Sequence, residues 1–270
     1  MPRTALVTGA GSGIGQTCAE LLQSQGYEVI GVDLHGADID ADLRDPASIK
    51  AMVDAVEQHH TSIDALVANA GVSTSSPLDL EVNYYGAIDS ITALLPLLQR
   101  SASPRVAITA SAASLQRTDA ELVDTLLHGT REEALDYGAK LQQAGKAAGY
   151  GNYSASKRAV VTWMRQVAIT EAFAGHGIAI NAVAPGVVKT PMTEQLLATK
   201  EGAEMAFGAM PAPLNGAAEP SAIAAVLAFL VSEANASMTG QVLYVDGGFD
   251  CSTPQGRGAD IWHDPKHLDA

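Results

Sequence analysis

Cysteine, basic charge and long apolar runs are all scarce in this chain of 270 residues, and each shortage excludes something. The two cysteines, Cys18 and Cys251, stand too far apart to form a motif and are too few for a disulfide framework. Lysine and arginine number 16 against 30 acidic residues, a formal net charge of −14. Nucleic-acid phosphates demand a basic stripe, so no nucleic-acid partner is expected, and the acidity reads as a solubility feature. No apolar run approaches the roughly 20 residues that span a bilayer. The chain enters directly into an apolar strand without a charged-then-apolar leader of the secretory kind. The expectation is a cytoplasmic protein with no membrane partner. Metal ligands are not assembled either. His59 and His60 are adjacent, so on a helix they diverge by about 100°. His263 and His267 have helical spacing, but Pro265 between them argues against a helix. There are no internal repeats and no low-complexity tracts.

What the chain has is apolar content and alternation. At 47% apolar it can bury one substantial core. Apolar runs near 4–8, 28–32, 63–68 and 105–110 alternate with helical patterns, and Ile178–Val183 and Val242–Val245 read as the sixth and seventh strands. Strand alternating with helix predicts an α/β fold with a parallel sheet and helices on both faces. We expect a single domain over residues 1–250, followed by a tail over 251–270 that is polar apart from Ile261 and Trp262.

The first strand runs straight into Thr8-Gly9-Ala10-Gly11-Ser12-Gly13-Ile14-Gly15, and a helix follows through Gln16 to about Gln25. Glycines there allow a positive φ or a close phosphate approach, and a helix N-terminus offers free amides to a pyrophosphate. A strand–turn–helix setting is what gives such a glycine pattern meaning. The second apolar run ends in Asp33, eighteen residues after Gly15. A carboxylate at that distance binds the adenosine ribose of a dinucleotide. It accepts from the 2′-hydroxyl and repels a 2′-phosphate, so the expected cofactor is NAD.

Further on, Tyr153 and Lys157 share one helix face in YSASK. A free phenol titrates near 10 and is a poor base at neutral pH. An ammonium about 4 Å away would lower it by up to roughly three units, making the tyrosine a general base for an alcohol or a general acid for a ketone. Tyr150 is a rival, but four residues on it has only Ser154.

Over residues 3–249 the chain resembles the short-chain dehydrogenase/reductase family, whose fold is a Rossmann-type, doubly wound sheet of seven parallel strands. TGAGSGIG resembles the family's phosphate-binding turn, so Gly9, Ser12, Gly13, Ile14 and Gly15 are implied cofactor contacts. Asp42-Leu43 resembles its adenine-contacting pair, and Asn69-Ala70-Gly71 its NAG motif, which adds Asn69 and Gly71. Asn83 in VNYYG, Ser111 in ITASAAS, and Tyr153 with Lys157 match the catalytic set. Pro185-Gly186-Val187-Val188-Lys189-Thr190 resembles the segment that holds the nicotinamide carboxamide, which implies Pro185, Val188 and Thr190 as cofactor contacts. Val245-Asp246-Gly247-Gly248 closes the last strand as in the family. The resemblance implies that Tyr153 exchanges a proton with the substrate oxygen while Ser111 holds that oxygen. It also implies that Lys157 tunes the tyrosine and binds the nicotinamide ribose, and that Asn83 positions a relay water.

Two departures from the common pattern narrow the resemblance. Asn83 follows Gly71 by only twelve positions, and 41 residues lie between Ser111 and Tyr153. The excess, residues 115–147, carries two capping boxes, Thr118-Asp119-Ala120-Glu121 and Thr130-Arg131-Glu132-Glu133, each leading into apolar residues at helical spacing. Two ordered helices are therefore expected ahead of the tyrosine. Both departures, and the very short third unit GVDLHGADIDADL, resemble the bacterial 3α-hydroxysteroid dehydrogenase/carbonyl reductase branch. That branch implies oxidation of a bulky cyclic secondary alcohol, or reduction of the ketone. It also implies a homo-oligomer, here a homodimer, because the insertion would occupy the usual tetramer contact. The substrate lid, residues 190–216, is rich in methionine, which adapts to varied apolar shapes. A terpene, aryl or sugar-derived alcohol, or a nucleotide-sensing protein without catalysis, are the alternatives.

Overall fold

The computed structural model describes residues 2–252. Its sheet is built from β1 (Thr4–Thr8), β2 (Glu28–Asp33), β3 (Ile39–Asp40), β4 (Ala65–Ala68), β5 (Arg105–Thr109), β6 (Ala179–Pro185) and β7 (Val242–Val245). All pairings are parallel, in the order β3-β2-β1-β4-β5-β6-β7. The strands are short and apolar because both faces are covered. Alternation along each strand divides the core in two. Leu6, Ile30, Leu66, Val106 and Ile180 face one layer, formed by α2 (Pro46–Glu57), α4 (Ala87–Gln99) and α7 (Lys146–Val167). Ala5, Val7, Val67, Ala107 and Val183 face the other, formed by α1 (Gly13–Ser24) and α10 (Pro220–Val231). Cys18 of α1 is fully buried in that second layer, where burial pushes its thiol up to about 12, whereas Cys251 is exposed.

The chain leaves β1 toward β2 on one side, and the strand beside β1 on the other side is β4. Ligands bind in the crevice where an open α/β sheet switches direction in this way, outside the carboxyl ends of its strands. Thr8, Asp33, Ala68 and Thr109 all end strands at that rim.

The expected insertion is present as α5 (Ala120–His128) and α6 (Arg131–Gln143). At α6 the capping box is complete, with Glu133 answering the Thr130 amide at 2.8 Å. At α5 the cap is Asp119 instead of Thr118. Its Oδ1 accepts from Glu121 and Leu122 amides at 3.0 and 3.2 Å, one residue later than the sequence pattern suggested. Leu122, Leu126 and Ala134 are buried, and α5 and α6 pack on each other and on α7. The closest approach is at Gly138, where a Cβ would lie 2.3 Å from Asn152 Oδ1 on α7. Asn152 donates back to the Gly138 carbonyl at 3.1 Å.

The shortened stretch before Asn83 also has a distinct form. A three-residue turn, α3 (Leu78–Leu80), leads into a π-helical segment, Glu81–Gly86, that runs on into α4. Residues 190–216, expected as a substrate lid, contain α8 (Pro191–Leu197) and α9 (Lys200–Ala209), with Met192 and Met205 exposed. His263, His267, Ile261 and Trp262 lie outside the described residues.

Candidate active site

A cleft of about 450 Å³ opens at the rim where β1 meets β4. At its floor the backbone turns sharply, with Gly9 at φ 69° and Gly13 at φ 56°. A Cβ on Gly15 would lie 2.0 Å from the Gly9 carbonyl oxygen, so only glycine lets α1 start this close to β1. Ser12, the N-cap residue of α1, makes no side-chain cap bond, which leaves first-turn amides available to an anion. Gly9, Ser12, Gly13 and Ile14 line the cleft, and Gly15 supports it from behind. Asp33 stands at the end of β2, where its Oδ2 accepts from the Gly11 amide at 2.8 Å and its Oδ1 from the Leu34 amide at 2.7 Å. Asp42 and Leu43 also line the cleft. Both Asp42 oxygens are engaged by Arg44, with Nε 2.8 Å from Oδ1 and Nη2 2.5 Å from Oδ2, and this guanidinium holds the carboxyl below its usual range. These groups fit a dinucleotide, with amides and glycines for phosphate and a carboxylate for a ribose.

Asn69 belongs to the scaffold as much as to the cleft. Its side-chain amide donates to the Thr8 carbonyl at 3.2 Å, and its Oδ1 accepts from the Thr109 hydroxyl at 3.0 Å. Thr8 Oγ1 in turn accepts from the Asn69 and Ala70 amides at 3.0 and 3.1 Å. Gly71, Pro185, Val188 and Thr190 complete the wall. Thr193 braces this wall, accepting from the Thr190 amide at 3.1 Å and donating to the Val188 carbonyl.

At the deep end, Ser111, Tyr153 and Lys157 converge. Ser111 caps a 3-10 turn, Ala112–Leu115, accepting from the Ala113 amide at 3.1 Å, and lines the cleft together with Tyr153. Lys157 is only 4% exposed and donates to the Thr109 carbonyl at 3.1 Å. Its ammonium lies 5.8 Å from the Tyr153 ring centroid. Burial pushes Lys157 down to about 8, partly opposed by the negative charge of Asp79.

The electrostatics of the tyrosine differ from the expectation drawn from YSASK. Burial raises the Tyr153 phenol, Asp79 raises it further, and the opposing influence comes from Ser111, not from Lys157. Helical spacing puts the two residues on one face, with the ammonium 5.8 Å from the ring centroid. Tyr150 stacks obliquely on Tyr153 at 5.6 Å, and burial holds its phenol protonated.

Asn83 lies just outside the cleft lining. Its Oδ1 accepts from the Val72 amide at 2.8 Å, and its Nδ2 donates to the Val72 carbonyl at 2.9 Å and to Ser156 Oγ at 3.3 Å. The π-helical segment turns it toward Gly71, where an added Cβ would be 3.0 Å from Asn83 Oδ1 and 3.4 Å from Lys157 Nζ. π-Segments of this kind cluster at functional sites. Sequence reading missed Thr8, Arg44, Thr109 and Asp79. Thr8 opens the glycine motif and was within reach; the other three carry no local pattern. Among the described residues no group of three or more His, Cys, Asp or Glu side chains gathers as for a metal.

Residues 3–122 match the description short chain dehydrogenase, and residues 137–250 match Enoyl-(Acyl carrier protein) reductase. The chain is 30% identical over 249 residues to the 3-alpha-hydroxysteroid dehydrogenase/carbonyl reductase of Comamonas testosteroni, covering 91% of this chain and 95% of that one. It belongs to the short-chain dehydrogenase/reductase family. This family of oxidoreductases works with a nicotinamide cofactor. The cis-4-hydroxycyclohexanecarboxylate dehydrogenase of Sinomonas cyclohexanicum is 32% identical over 266 residues, covering 92% of this chain and 96% of its own. A crystal structure of the 3-alpha-hydroxysteroid dehydrogenase from Pseudomonas sp. B-0831 complexed with NADH has a TM-score of 0.81 at 34% identity, covering 92% of this chain and 97% of that one.

Burying Lys157 has a measurable price in stability. A lysine whose folded pKa lies below its unfolded value weakens the fold fully below about 8, and the penalty fades as pH rises toward 10.5. That displacement corresponds to roughly 3 kcal/mol, and an unpaired Thr109 carbonyl would take back about 1–2 kcal/mol. Lys157→Met is therefore expected to be more stable than wild type at neutral pH by about 1–2 kcal/mol, with an advantage that vanishes on the alkaline side. Denaturant unfolding across pH checks this; a variant less stable at pH 7, or an advantage independent of pH, would sink it.

Proposed function

We propose that this protein is an NAD-dependent dehydrogenase/reductase that interconverts a bulky, largely apolar cyclic secondary alcohol, of the 3α-hydroxysteroid kind, and its ketone. The observation that carries this is the meeting of Ser111, Tyr153 and Lys157 in one cleft with a glycine turn and Asp33. A nicotinamide dinucleotide bound there supplies the hydride donor or acceptor. Gly9, Ser12, Gly13, Ile14 and Gly15 would form the phosphate turn and Asp33 would hold the adenosine ribose. Asp42, Leu43, Asn69, Gly71, Pro185, Val188 and Thr190 would flank the bound dinucleotide, with Lys157 at its second ribose.

Tyr153 exchanges the proton at the substrate oxygen. A phenol held above its ordinary value keeps its proton, which suits donation to a ketone; oxidation calls for alkaline pH, where the phenolate forms. The Ser111 hydroxyl, which lines the same cleft as the phenol, fixes the substrate oxygen beside it. Asn83 and Lys157 face the same point beside Gly71, and we assign that point to a proton relay.

Substrate class is supported by the apolar side chains of the cleft. Val72, Leu78, Val82 and Met192 line it, and Thr193 is committed to backbone. A polyol would leave hydroxyls unpaired there at about 1–3 kcal/mol each. A ring alcohol bearing a carboxylate fits less well, because the cations lining the cleft are Lys157 and Arg44, the latter held by Asp42. The deciding experiment is NADH formation from NAD across steroid, terpene, aryl and sugar alcohols. Saturation by a polyol below any steroid's concentration would refute the substrate class.

Tyr153→Phe keeps the ring and loses only the transferable proton. Its turnover should fall about 100-fold or more, with NADH affinity, measured by fluorescence titration, largely kept. Wild-type rates in this variant would overturn the assignment. Asp33→Ala combined with Leu34→Arg should improve kcat/KM with NADP by about 10-fold or more, roughly 1.4 kcal/mol. A wild-type enzyme already preferring NADP would contradict the ribose role of Asp33.

The inserted helices cover α7, a helix through which many family members pair as tetramers. We therefore propose a homodimer formed by another face. Light scattering should give about twice the 27.9 kDa chain mass; a value near four times that mass would count against it.

A further inference from the structure

Asp79 is a carboxylate with no exposed surface that the chemistry above does not use. It stands in the α3 turn, four positions before Asn83. Its Oδ1 accepts from the Thr74 amide at 2.7 Å and the Thr74 hydroxyl at 2.9 Å, and its Oδ2 from the Ser75 amide at 2.9 Å. These bonds hold Ser75 at φ 59°, a left-handed conformation uncommon outside glycine. The Ser75 carbonyl is pressed onto the start of α7, where a Cβ on Gly149 would be only 2.5 Å from it. The carboxylate thus ties the 74–76 loop to the helix that carries Tyr153 and Lys157.

Loop anchoring alone is a poor reason for an acid here. A buried carboxylate costs more than a buried amide or hydroxyl unless something offsets its charge. The donors of residues 74–76 oppose the burial that raises its carboxyl above the usual range, and its charge is felt on α7. Asp79 acts on Lys157, favouring its cationic form, and on Tyr150 and Tyr153, disfavouring their anionic forms. The π-helical segment and α6 also pack against α3, yet the influences on Asp79 itself are burial and the donors of residues 74–76.

We propose that Asp79 is a positioning residue of the reaction centre, which holds the 74–76 loop against α7 and places a buried carboxylate on the turn packed against the helix of Tyr153 and Lys157. The inference rests on the dehydrogenase reading of that pair. Its two parts are separable. Asp79→Asn removes the charge and keeps the shape; Thr74→Val removes one tie to the loop and keeps the charge.

The test is the pH profile of kcat/KM for alcohol oxidation in both variants. It is paired with the tyrosinate absorbance difference between each protein and its Tyr153→Phe counterpart, which titrates the phenol without turnover. Loss of the negative charge eases ionisation of the phenol and deprotonation of the ammonium. Asp79→Asn should therefore move both limbs, and the phenol titration, to lower pH by about half a unit or more. Thr74→Val should lower Tm and leave the limbs where they are. Limbs that stay fixed in Asp79→Asn, or move to higher pH, overturn the proposal; so does an equal movement in Thr74→Val. If Asp79→Asn does not fold, Asp79→Glu replaces it, with limbs expected in place and a raised KM. Limbs displaced to lower pH in that charge-retaining variant overturn the proposal. A wild-type protein that oxidises no alcohol refutes the dehydrogenase reading, and the absorbance titration still decides the part played by Asp79.

Discussion

An ammonium taken out of water is the constraint around which the rest of this molecule is arranged. Lys157 is nearly inaccessible, and an isolated buried charge is tolerated only when polar groups are fixed around it. The Thr109 carbonyl, the face of Tyr153 and the field of Asp79 supply that surrounding. The same residue passes the constraint on. Thr109 bonds Asn69 through its hydroxyl, Asn69 bonds the Thr8 carbonyl, and Thr8 opens the glycine turn. The Tyr153 end of the cleft and its glycine-turn end are therefore joined by consecutive hydrogen bonds across the tips of β5, β4 and β1.

The two departures from the usual family spacing meet in space. The shortened stretch contributes Ser75 and Leu80, and the insertion contributes Gly138. A Cβ on Gly138 would lie 2.8 Å from Leu80 Cδ1, and Ser75 packs against Gly149 at the start of α7. The missing length on one side and the added length on the other fill one volume around α7. The two family matches stop and resume within this region, at residues 122 and 137.

Much of this was legible in the sequence, for identifiable reasons. Parallel strands buried on both faces write themselves as apolar runs, so six of the seven strands and their alternation with helices were readable, whereas β3, two residues long and half polar, was not located. The glycine turn was readable because backbone geometry admits few residue types there, and the place of Asp33 because it closes an apolar strand. Depth was not readable. YSASK fixes which face Tyr153 and Lys157 share but says nothing of how far both are withdrawn from water, and that withdrawal sets the direction of the phenol's shift. Asp79 was hidden for a related reason: an acid in SSPLDL looks like any surface carboxylate until the loop folds over it. The cap of α5 shows a smaller ambiguity, since Thr118 and Asp119 are both good caps and only the entry path of the chain selects Asp119.

The unequal setting of the two thiols has a practical side. Cys18 is sealed within the layer between α1 and α10 and is held as the unreactive thiol, because the thiolate is the nucleophile and burial suppresses it. Cys251 is exposed shortly after β7. Native protein thus offers a maleimide or a spin label one addressable attachment point without any substitution. A reporter placed there leaves both the cleft and the core chemically untouched.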